Sequence, residues 1–280
     1  MTVNEIYQSG LKLLENNNIE NSKFEAQSLL QKAFSLDRVG FIIHKTDKAD
    51  ENCSHNFLKF IEKRISGEPL QYILGEWSFM GFDFKVGRGV LIPRDDTEVV
   101  VNLCIDFLKN RTDKKTVDLC SGSGAIAVAL DKISGAKVTA VEIDETAFSY
   151  LETNVKENNS SVKPVMADAL KICDTFADGG LDLIVSNPPY IKSADIETLQ
   201  KEVQLEPRLA LDGGEDGCDF YREIVSRWSR KLKKGGALAF ELGENQAGAV
   251  KALMTDKGFS DFKISLDFGG VQRAIIGTLL

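Results

Sequence analysis

The chain has 280 residues, 43% hydrophobic and 27% charged, the balance of a soluble globular protein with room for one large domain or for a medium and a small one. Its net charge of −8 divides as −1 over residues 1–90 and −7 over the rest, so it lacks the basic stripe that neutralises phosphates and a nucleic-acid substrate is disfavoured. No apolar run approaches the roughly 18 residues that span a bilayer, and Met1-Thr2-Val3-Asn4-Glu5 has neither the basic start nor the apolar core of a secretory leader, so a cytoplasmic protein without a membrane partner is expected.

Residues 3–66 are predicted to be helical. Three apolar sets recur at helical spacing: Ile6, Leu11, Leu13 and Leu14; Phe24, Leu29, Leu30, Ala33 and Phe34; Phe57, Leu58, Phe60, Ile61 and Ile65. Asn21 or Ser22 followed by Glu25 reads as a capped helix start. With no glycine-rich loop or catalytic cluster, this segment reads as a small bundle that docks a partner. Tyr72-Ile73-Leu74-Gly75 and Phe79-Met80-Gly81-Phe82-Asp83-Phe84-Lys85-Val86 are aromatic and β-prone, which predicts a connecting hairpin. A proline-broken loop, Leu91-Ile92-Pro93-Arg94-Asp95-Asp96, then leads into a helix over 97–109.

From residue 115 strands and helices alternate. Strands are predicted at 116–119, 137–142, 162–166, 181–186, 236–242, 260–267 and 272–279, and helices at 124–133, 145–157, 219–233 and 246–257. Such alternation describes a parallel sheet covered on both faces. The last two strands are joined only by Phe268-Gly269-Gly270, so one of them must run antiparallel to the rest.

Asp118-Leu119-Cys120-Ser121-Gly122-Ser123-Gly124 joins a strand to a helix, where glycine lets the backbone approach a ligand. Gly122-x-Gly124-x-x-Ala127 with Glu142 downstream also meets the loose dinucleotide pattern, so a nicotinamide cofactor is an alternative. Two features favour S-adenosylmethionine. A carboxylate at Asp118 would repel a pyrophosphate and suits a sulfonium and an amino group. A dinucleotide site also leaves the turn at Asn187 unexplained. Glu142 can accept both ribose hydroxyls, and Asp168, beside Ala169, can accept an adenine amino group. Five scattered cysteines without a Cys-x-x-Cys pair fit free thiols, and two histidines supply neither a metal site nor a histidine triad, so no metal is expected.

Asn187-Pro188-Pro189-Tyr190 follows the apolar strand Leu181-Asp182-Leu183-Ile184-Val185-Ser186. Two prolines can neither extend a sheet nor open an ordinary helix there, so they set a rigid turn at a strand's end, where open α/β sheets bind ligands. The Asn187 side-chain carbonyl and the Pro188 backbone carbonyl are acceptors, and the Tyr190 ring is an apolar plate. Together they suit a planar substrate carrying an NH2 group.

These residues resemble the HemK/PrmC family, the glutamine N5-methyltransferases of class I peptide chain release factors. The resemblance spans essentially the whole chain and is densest in Pro69–Gly75, Leu91–Arg94, residues 118–124 and Val185–Ile191. It implies a helical partner-recognition domain over 1–69, a hairpin linker over 70–94 and, over 95–280, a class I S-adenosylmethionine-dependent methyltransferase domain. That domain is an α/β, Rossmann-like fold with a mostly parallel seven-stranded sheet and an antiparallel terminal strand. The resemblance places S-adenosylmethionine at Cys120, Ser121, Gly122, Ser123, Gly124, Glu142, Asp168, Ala169 and Asn187. It places the substrate glutamine at Asn187, Pro188, Pro189 and Tyr190, in a monomer acting on a release factor. Two departures stand out: Asp95 where the family has proline, and Cys120-Ser121 where glycine or threonine is usual.

Direct methyl transfer needs no nucleophile from the enzyme, so no covalent role is expected of Cys120. An amide nitrogen is a poor nucleophile, and gripping its two N–H bonds with Asn187 and Pro188 aims it at a methyl group by positioning and fixed dipoles. An adenine-amino methyltransferase, a ribosomal-protein glutamine methyltransferase and a non-catalytic cofactor-binding module remain as alternatives.

Overall fold

The computed structural model describes residues 1–280, which form two compact units, Met1–Glu76 with Gln200–Leu205 and Trp77–Leu199 with Glu206–Leu280. In chain order the helices and strands up to residue 108 are α1 (Val3–Asn16), α2 (Ser22–Phe34), α3 (Arg38–His44), α4 (Glu51–Ile65), α5 (Leu70–Leu74), β1 (Glu76–Phe79), β2 (Phe82–Lys85) and α6 (Thr97–Leu108). Next come β3 (Lys115–Leu119), α7 (Ala125–Ala129), β4 (Lys137–Glu142), α8 (Glu145–Glu157), β5 (Lys163–Met166) and β6 (Leu181–Ser186). The chain ends with α9 (Lys201–Gln204), α10 (Asp219–Trp228), β7 (Leu232–Glu241), α11 (Ala247–Asp256), β8 (Phe259–Leu266) and β9 (Gln272–Leu279). No helix is long and apolar enough to cross a membrane.

In the first unit, α1 opens with a full capping box, in which Thr2 Oγ1 accepts from the Glu5 N–H and Glu5 Oε2 accepts from the Thr2 N–H. Helix α2 starts at Ser22 but not by the capping expected of Asn21 and Glu25. Asn21 is left-handed and makes no side-chain cap, and Glu25 turns inward to Arg64, with Nε 2.6 Å from Oε2. Arg64 also reaches Glu202 Oε1 on α9 at 3.0 Å. A tertiary ion pair has taken the carboxylate that local sequence assigned to a cap.

The hairpin is shorter than the β-propensity suggested. Tyr72-Ile73-Leu74 is not strand but part of α5, bounded by Pro69 before it and left-handed Gly75 after it. Those punctuating residues, together with burial of Leu70, Tyr72 and Ile73, outweigh the aromatic and β-branched composition. The turn of the hairpin is Met80-Gly81, both at positive φ, the twist a two-residue connection requires.

The second unit is built on a seven-stranded sheet in the order β5-β4-β3-β6-β7-β9-β8. Strands β5 to β7 pair in parallel and β9 runs antiparallel between β7 and β8, as the short last connection demanded. Alternate residues divide between two cores. Leu183 and Val185 of β6 join Val100 and Cys104 of α6, the α7 segment, and Ala147 and Leu151 of α8. Ile184, with Val117 and Leu119 of β3, joins Tyr221 and Trp228 of α10 and Val250 and Met254 of α11. Two boundaries differ from expectation. Helix α10 stops at Trp228, and β7 begins at Leu232 because it crosses Gly235, a left-handed residue where the register with β6 shifts. The helix expected at 124–133 is α7 continued by a wider π-helical turn over Leu130–Ser134.

Replacing Arg64 by Ala leaves Glu25 charged without its partner in the helical core. A loss of about 3 kcal/mol of stability is expected, the scale for breaking a buried ion pair. Glu202, one-third exposed, should cost about 1 kcal/mol or less when replaced by Ala. Urea titrations of the two variants check the difference.

Candidate active site

Parallel strands place the ends of β3, β4, β5 and β6 on one edge of the sheet, and chain progression reverses between β3 and β6. A crevice opens at such a point, and here it is a cavity. Cys120, Ser121, Gly122 and Ser123 line it from the β3–α7 loop, Glu142 and Asp144 from the end of β4, Asp168 and Ala169 from beyond β5, and Asn187 and Pro189 from beyond β6. Leu91, Ile92, Pro93 and Thr97 close one side, and Pro207, Leu209 and Ala210 stand nearby in the same wall. Three acidic residues and no Lys, Arg or His line it.

The loop is pinned to β4. The Ser121 N–H donates to the Val141 carbonyl at 3.0 Å, and the Gly122 N–H donates to Glu142 Oε2 at 2.8 Å. Glu142 Oε1 accepts from the Ile143 and Asp144 N–H groups at 2.8 and 2.9 Å. Its carboxylate is thereby fixed, with acceptor capacity left on both oxygens. Gly124 closes the loop against α8, where a Cβ would stand 2.5 Å from Leu151. Cys120 adopts φ 59°, a left-handed conformation that costs an ordinary residue about 1 kcal/mol. A glycine at this position would carry no such strain. Burial, reinforced by Glu142, pushes the Cys120 thiol well above its ordinary range and keeps it protonated.

Asp168 accepts from the Leu170 N–H at 2.8 Å and from Lys171 Nζ at 2.9 Å. Burial opposes its ionisation, yet these partners outweigh it and hold its pKa below the usual carboxylate value. Asp118 lies elsewhere from its fellows. It is completely buried on the face of β3 opposite Val117 and Leu119, outside the cavity lining, and neither carboxyl oxygen has a partner. Burial first, and then Glu142, raise its pKa to about 7.

At the end of β6 the Asn187 side-chain NH2 donates to Thr97 Oγ1 at 3.4 Å. Its Oδ1 and the Pro188 carbonyl accept nothing from the protein. Pro188 and Tyr190 are not among the residues that line the cavity. The Tyr190 hydroxyl donates to Glu241 Oε1 at 3.2 Å, and Gln246 Nε2 donates to the Tyr190 carbonyl at 2.9 Å. The turn is packed so closely that a Cβ on Gly213 would lie 2.7 Å from Tyr190 Cα, and one on Gly217 2.4 Å from the Tyr190 carbonyl oxygen. Glu241 is 1% exposed and its Oε2 has no partner. Burial raises its pKa to about 7 against the pull of Thr97, Tyr190 and Arg273.

Sequence reasoning assigned no role to Thr97, Glu241, Gln246, Gly213 or Glu206. Glu206 ties the proline-broken loop: Oε2 accepts from the Ile92 N–H at 3.1 Å and Oε1 from Arg94. The loop that lacks a second proline at Asp95 is thus held from across the cavity wall. The run Asp212-Gly213-Gly214 and the glutamate ending an apolar strand were the only signals of this support in the chain.

Solved structures share this fold. The hMettl16 catalytic domain aligns with TM-score 0.58 at 14% identity, covering 85% of each chain. A methyltransferase from Pyrococcus furiosus aligns with TM-score 0.54 at 23% identity, covering 72% of this chain and 90% of that one. Fold and cavity together define a class I S-adenosylmethionine-dependent methyltransferase. The family description PrmC N-terminal domain matches residues 5–75 and Methyltransferase small domain matches residues 94–215. The release factor glutamine methyltransferase of Geobacter sulfurreducens is 40% identical over 264 residues, 93% of this chain and 91% of that one. That of Clostridium acetobutylicum is 33% identical over 280 residues, 99% and 98% of the two chains. The chain belongs to the release factor glutamine methyltransferase family.

The walls fit S-adenosylmethionine. An acidic lining without a basic side chain suits a sulfonium and an ammonium and would repel a pyrophosphate. The residual acceptors of Glu142 suit a diol, and space is open at Gly122, where a Cβ would meet nothing within 4 Å.

Asp118 and Glu241 also set a pH dependence. Both pKa values rise on folding, to about 7, so the folded protein binds more protons than the unfolded chain between about pH 4 and 7. Their contribution to stability is complete below the ordinary carboxylate range and is lost as pH rises through 7. Asp118→Asn should therefore flatten the fall in stability between about pH 4 and 7, by up to about 1.4 kcal/mol per pH unit for one proton. Thermal melts of the protein alone across that window measure it.

Proposed function

We propose that this protein transfers the methyl group of S-adenosylmethionine to the side-chain amide nitrogen of the glutamine in the Gly-Gly-Gln loop of class I peptide chain release factors. The observation that carries this reading is the pair of unsatisfied acceptors at the end of β6, Asn187 Oδ1 and the Pro188 carbonyl, beside an acidic cavity. An NH2 group offers two donors to such a pair, whereas a hydroxyl or a thiol offers one.

When bound, S-adenosylmethionine supplies an electrophilic methyl group on a sulfonium. Glu142 would accept the ribose hydroxyls, Asp168 with Ala169 would receive the adenine, and Cys120 to Gly124 would hold the remainder of the cofactor along the loop. Asn187 and Pro188 accept the two amide N–H bonds and hold the nitrogen lone pair in line with the reacting carbon. Pro189 and Tyr190 keep the amide plane fixed. Transfer would form a C–N bond at the expense of the donor's C–S bond, with the amide proton released to water. The rate gain is one of orientation and fixed dipoles.

Asn187→Ala should lower kcat by roughly tenfold to a hundredfold while cofactor affinity changes little, because it removes a bond to the reacting nitrogen. Glu142→Ala should do the reverse and weaken cofactor binding by about 1–3 kcal/mol. The measurement pairs titration calorimetry with tritiated-methyl transfer to a purified release factor and mass mapping of the labelled peptide. Label on an adenine, or on a ribosomal-protein glutamine in preference to the release factor, would sink the substrate assignment.

The helical unit supplies none of the cavity lining, and α3 leaves Val39, Ile42 and Ile43 exposed. This supports a role for residues 1–69 in recognising the release factor. The double variant Ile42→Asp, Ile43→Asp should raise KM for the release factor severalfold, on the order of 1 kcal/mol or more, with unchanged cofactor affinity. An unaltered KM would remove α3 from recognition.

A further inference from the structure

Neither proline of Asn187-Pro188-Pro189-Tyr190 carries an N–H, so this turn has few bonds of its own with which to hold a shape. Proline fixes φ but leaves ψ free, and ψ is what aims the Pro188 carbonyl. The aim has to be set by groups supplied from elsewhere in the fold. One of them comes from the loop between β7 and α11. Gln246 Nε2 donates to the Tyr190 carbonyl at 2.9 Å and to the Gly217 carbonyl at 3.2 Å. Gln246 Oε1 accepts from the Gly243 N–H at 2.9 Å and lies 3.2 Å from the Tyr221 hydroxyl, which also donates to the Glu241 carbonyl at 2.9 Å. These partners leave no choice of sense for the amide. Backbone carbonyls only accept and a backbone N–H only donates, so Nε2 must face Tyr190 and Gly217 while Oε1 faces Gly243.

Glycine makes room for this fork. A Cβ on Gly217 would lie 2.7 Å from Gln246 Nε2, and one on Gly243 would lie 2.6 Å from Gln246 Oε1 and 3.0 Å from Tyr190 Cδ2. Gly217 is at φ 78°, a conformation that glycine adopts without strain. The next residue is fixed as well, since the Ile191 N–H donates to the Leu211 carbonyl at 2.9 Å and the Gly213 N–H donates to the Ile191 carbonyl at 2.8 Å. Before the turn, the Ser186 hydroxyl donates to the Leu119 carbonyl at 2.7 Å. Asn187 and Pro188 are thus strung between two anchored points.

We propose that Gln246 is a positioning residue for the acceptor amide: by tying the Tyr190 carbonyl to Gly217 and Gly243, it fixes the turn whose Asn187 and Pro188 carbonyls receive the two amide N–H bonds. Gln246 is not in the cavity lining and acts through the turn. Glutamine serves because its amide supplies two donors to carbonyls and an acceptor to a backbone N–H at once, whereas methionine, of similar volume, supplies no donor. This inference rests on the reading of Asn187 to Tyr190 as the grip on that amide.

The test uses the full chain with a class I release factor and S-adenosylmethionine, and compares Gln246→Met with Asn187→Ala. Gln246→Met should lower kcat about tenfold or more, toward the hundredfold that a misplacement of about 1 Å costs. KM for the release factor, and cofactor affinity by calorimetry, should each stay within about twofold, because what is lost is orientation of the reacting nitrogen. Where Gln246→Met does not fold, Gly217→Ala takes its place, since its methyl group presses on the same meeting point, and it should produce the same split. A fall in cofactor affinity alongside kcat would instead give Gln246 a part in the fold of the whole site and overturn the proposal. Native kcat in the Gln246 variant, alongside a crippled Asn187→Ala, would overturn the role of Gln246 and leave the grip intact. Native kcat in Asn187→Ala would overturn the grip itself, and the role of Gln246 with it.

Discussion

In the sheet of this protein, β3, β4, β5 and β6 point the same way, and the chain steps outward from β3 to β4 and β5 before returning to β6 on the other side. Every loop at the carboxyl edge is therefore forced toward one crevice. Cys120 to Ser123, Glu142, Asp168 and Asn187 come from four separate strand ends, up to about 70 residues apart in the chain, and reach one cavity through this constraint. Loss of the parallel register would scatter them. The antiparallel β9 seals the far side of β7 and fixes where Glu241 ends.

The cavity has two kinds of floor. On the β4 side a carboxylate is held by three backbone N–H groups, an arrangement that keeps Glu142 fixed in place. On the β6 side the support is made of side chains, with Thr97, Glu241 and Gln246 beneath a turn that glycines allow to sit close. Such buried polar groups are costly when incomplete. Asp118 and Glu241 are both incomplete, with carboxyl oxygens lacking partners. They are the positions at which this fold accepts lower stability in return for a defined electrostatic environment at the edge of the site.

The helical unit follows a different logic. Its centre is the ion pair between Glu25 and Arg64, with Glu202 contributed by a segment 138 residues further along the chain. A distant four-residue helix thus completes a bundle that is otherwise contiguous in sequence.

Much of this was legible in the chain by itself. Alternating apolar runs determined the seven strands, because a strand buried on both faces has no other way to be written. The Phe268-Gly269-Gly270 link determined the antiparallel end. The two prolines after Ser186 determined a rigid turn, since neither strand nor helix tolerates them there. Tertiary structure decided what local rules cannot. Tyr72-Ile73-Leu74 became helix because Pro69, Gly75 and burial outweighed β-propensity. Glu25 left a cap for Arg64 because a buried charge must find its partner wherever the fold provides one. Asp118 went beneath the loop instead of into the cavity, because alternation along β3 turns it away from the face of Val117 and Leu119. Thr97 reached Asn187, and Glu241 reached Tyr190, only when β7 was laid beside β6 and α6 packed across them, juxtapositions that no spacing in one dimension encodes.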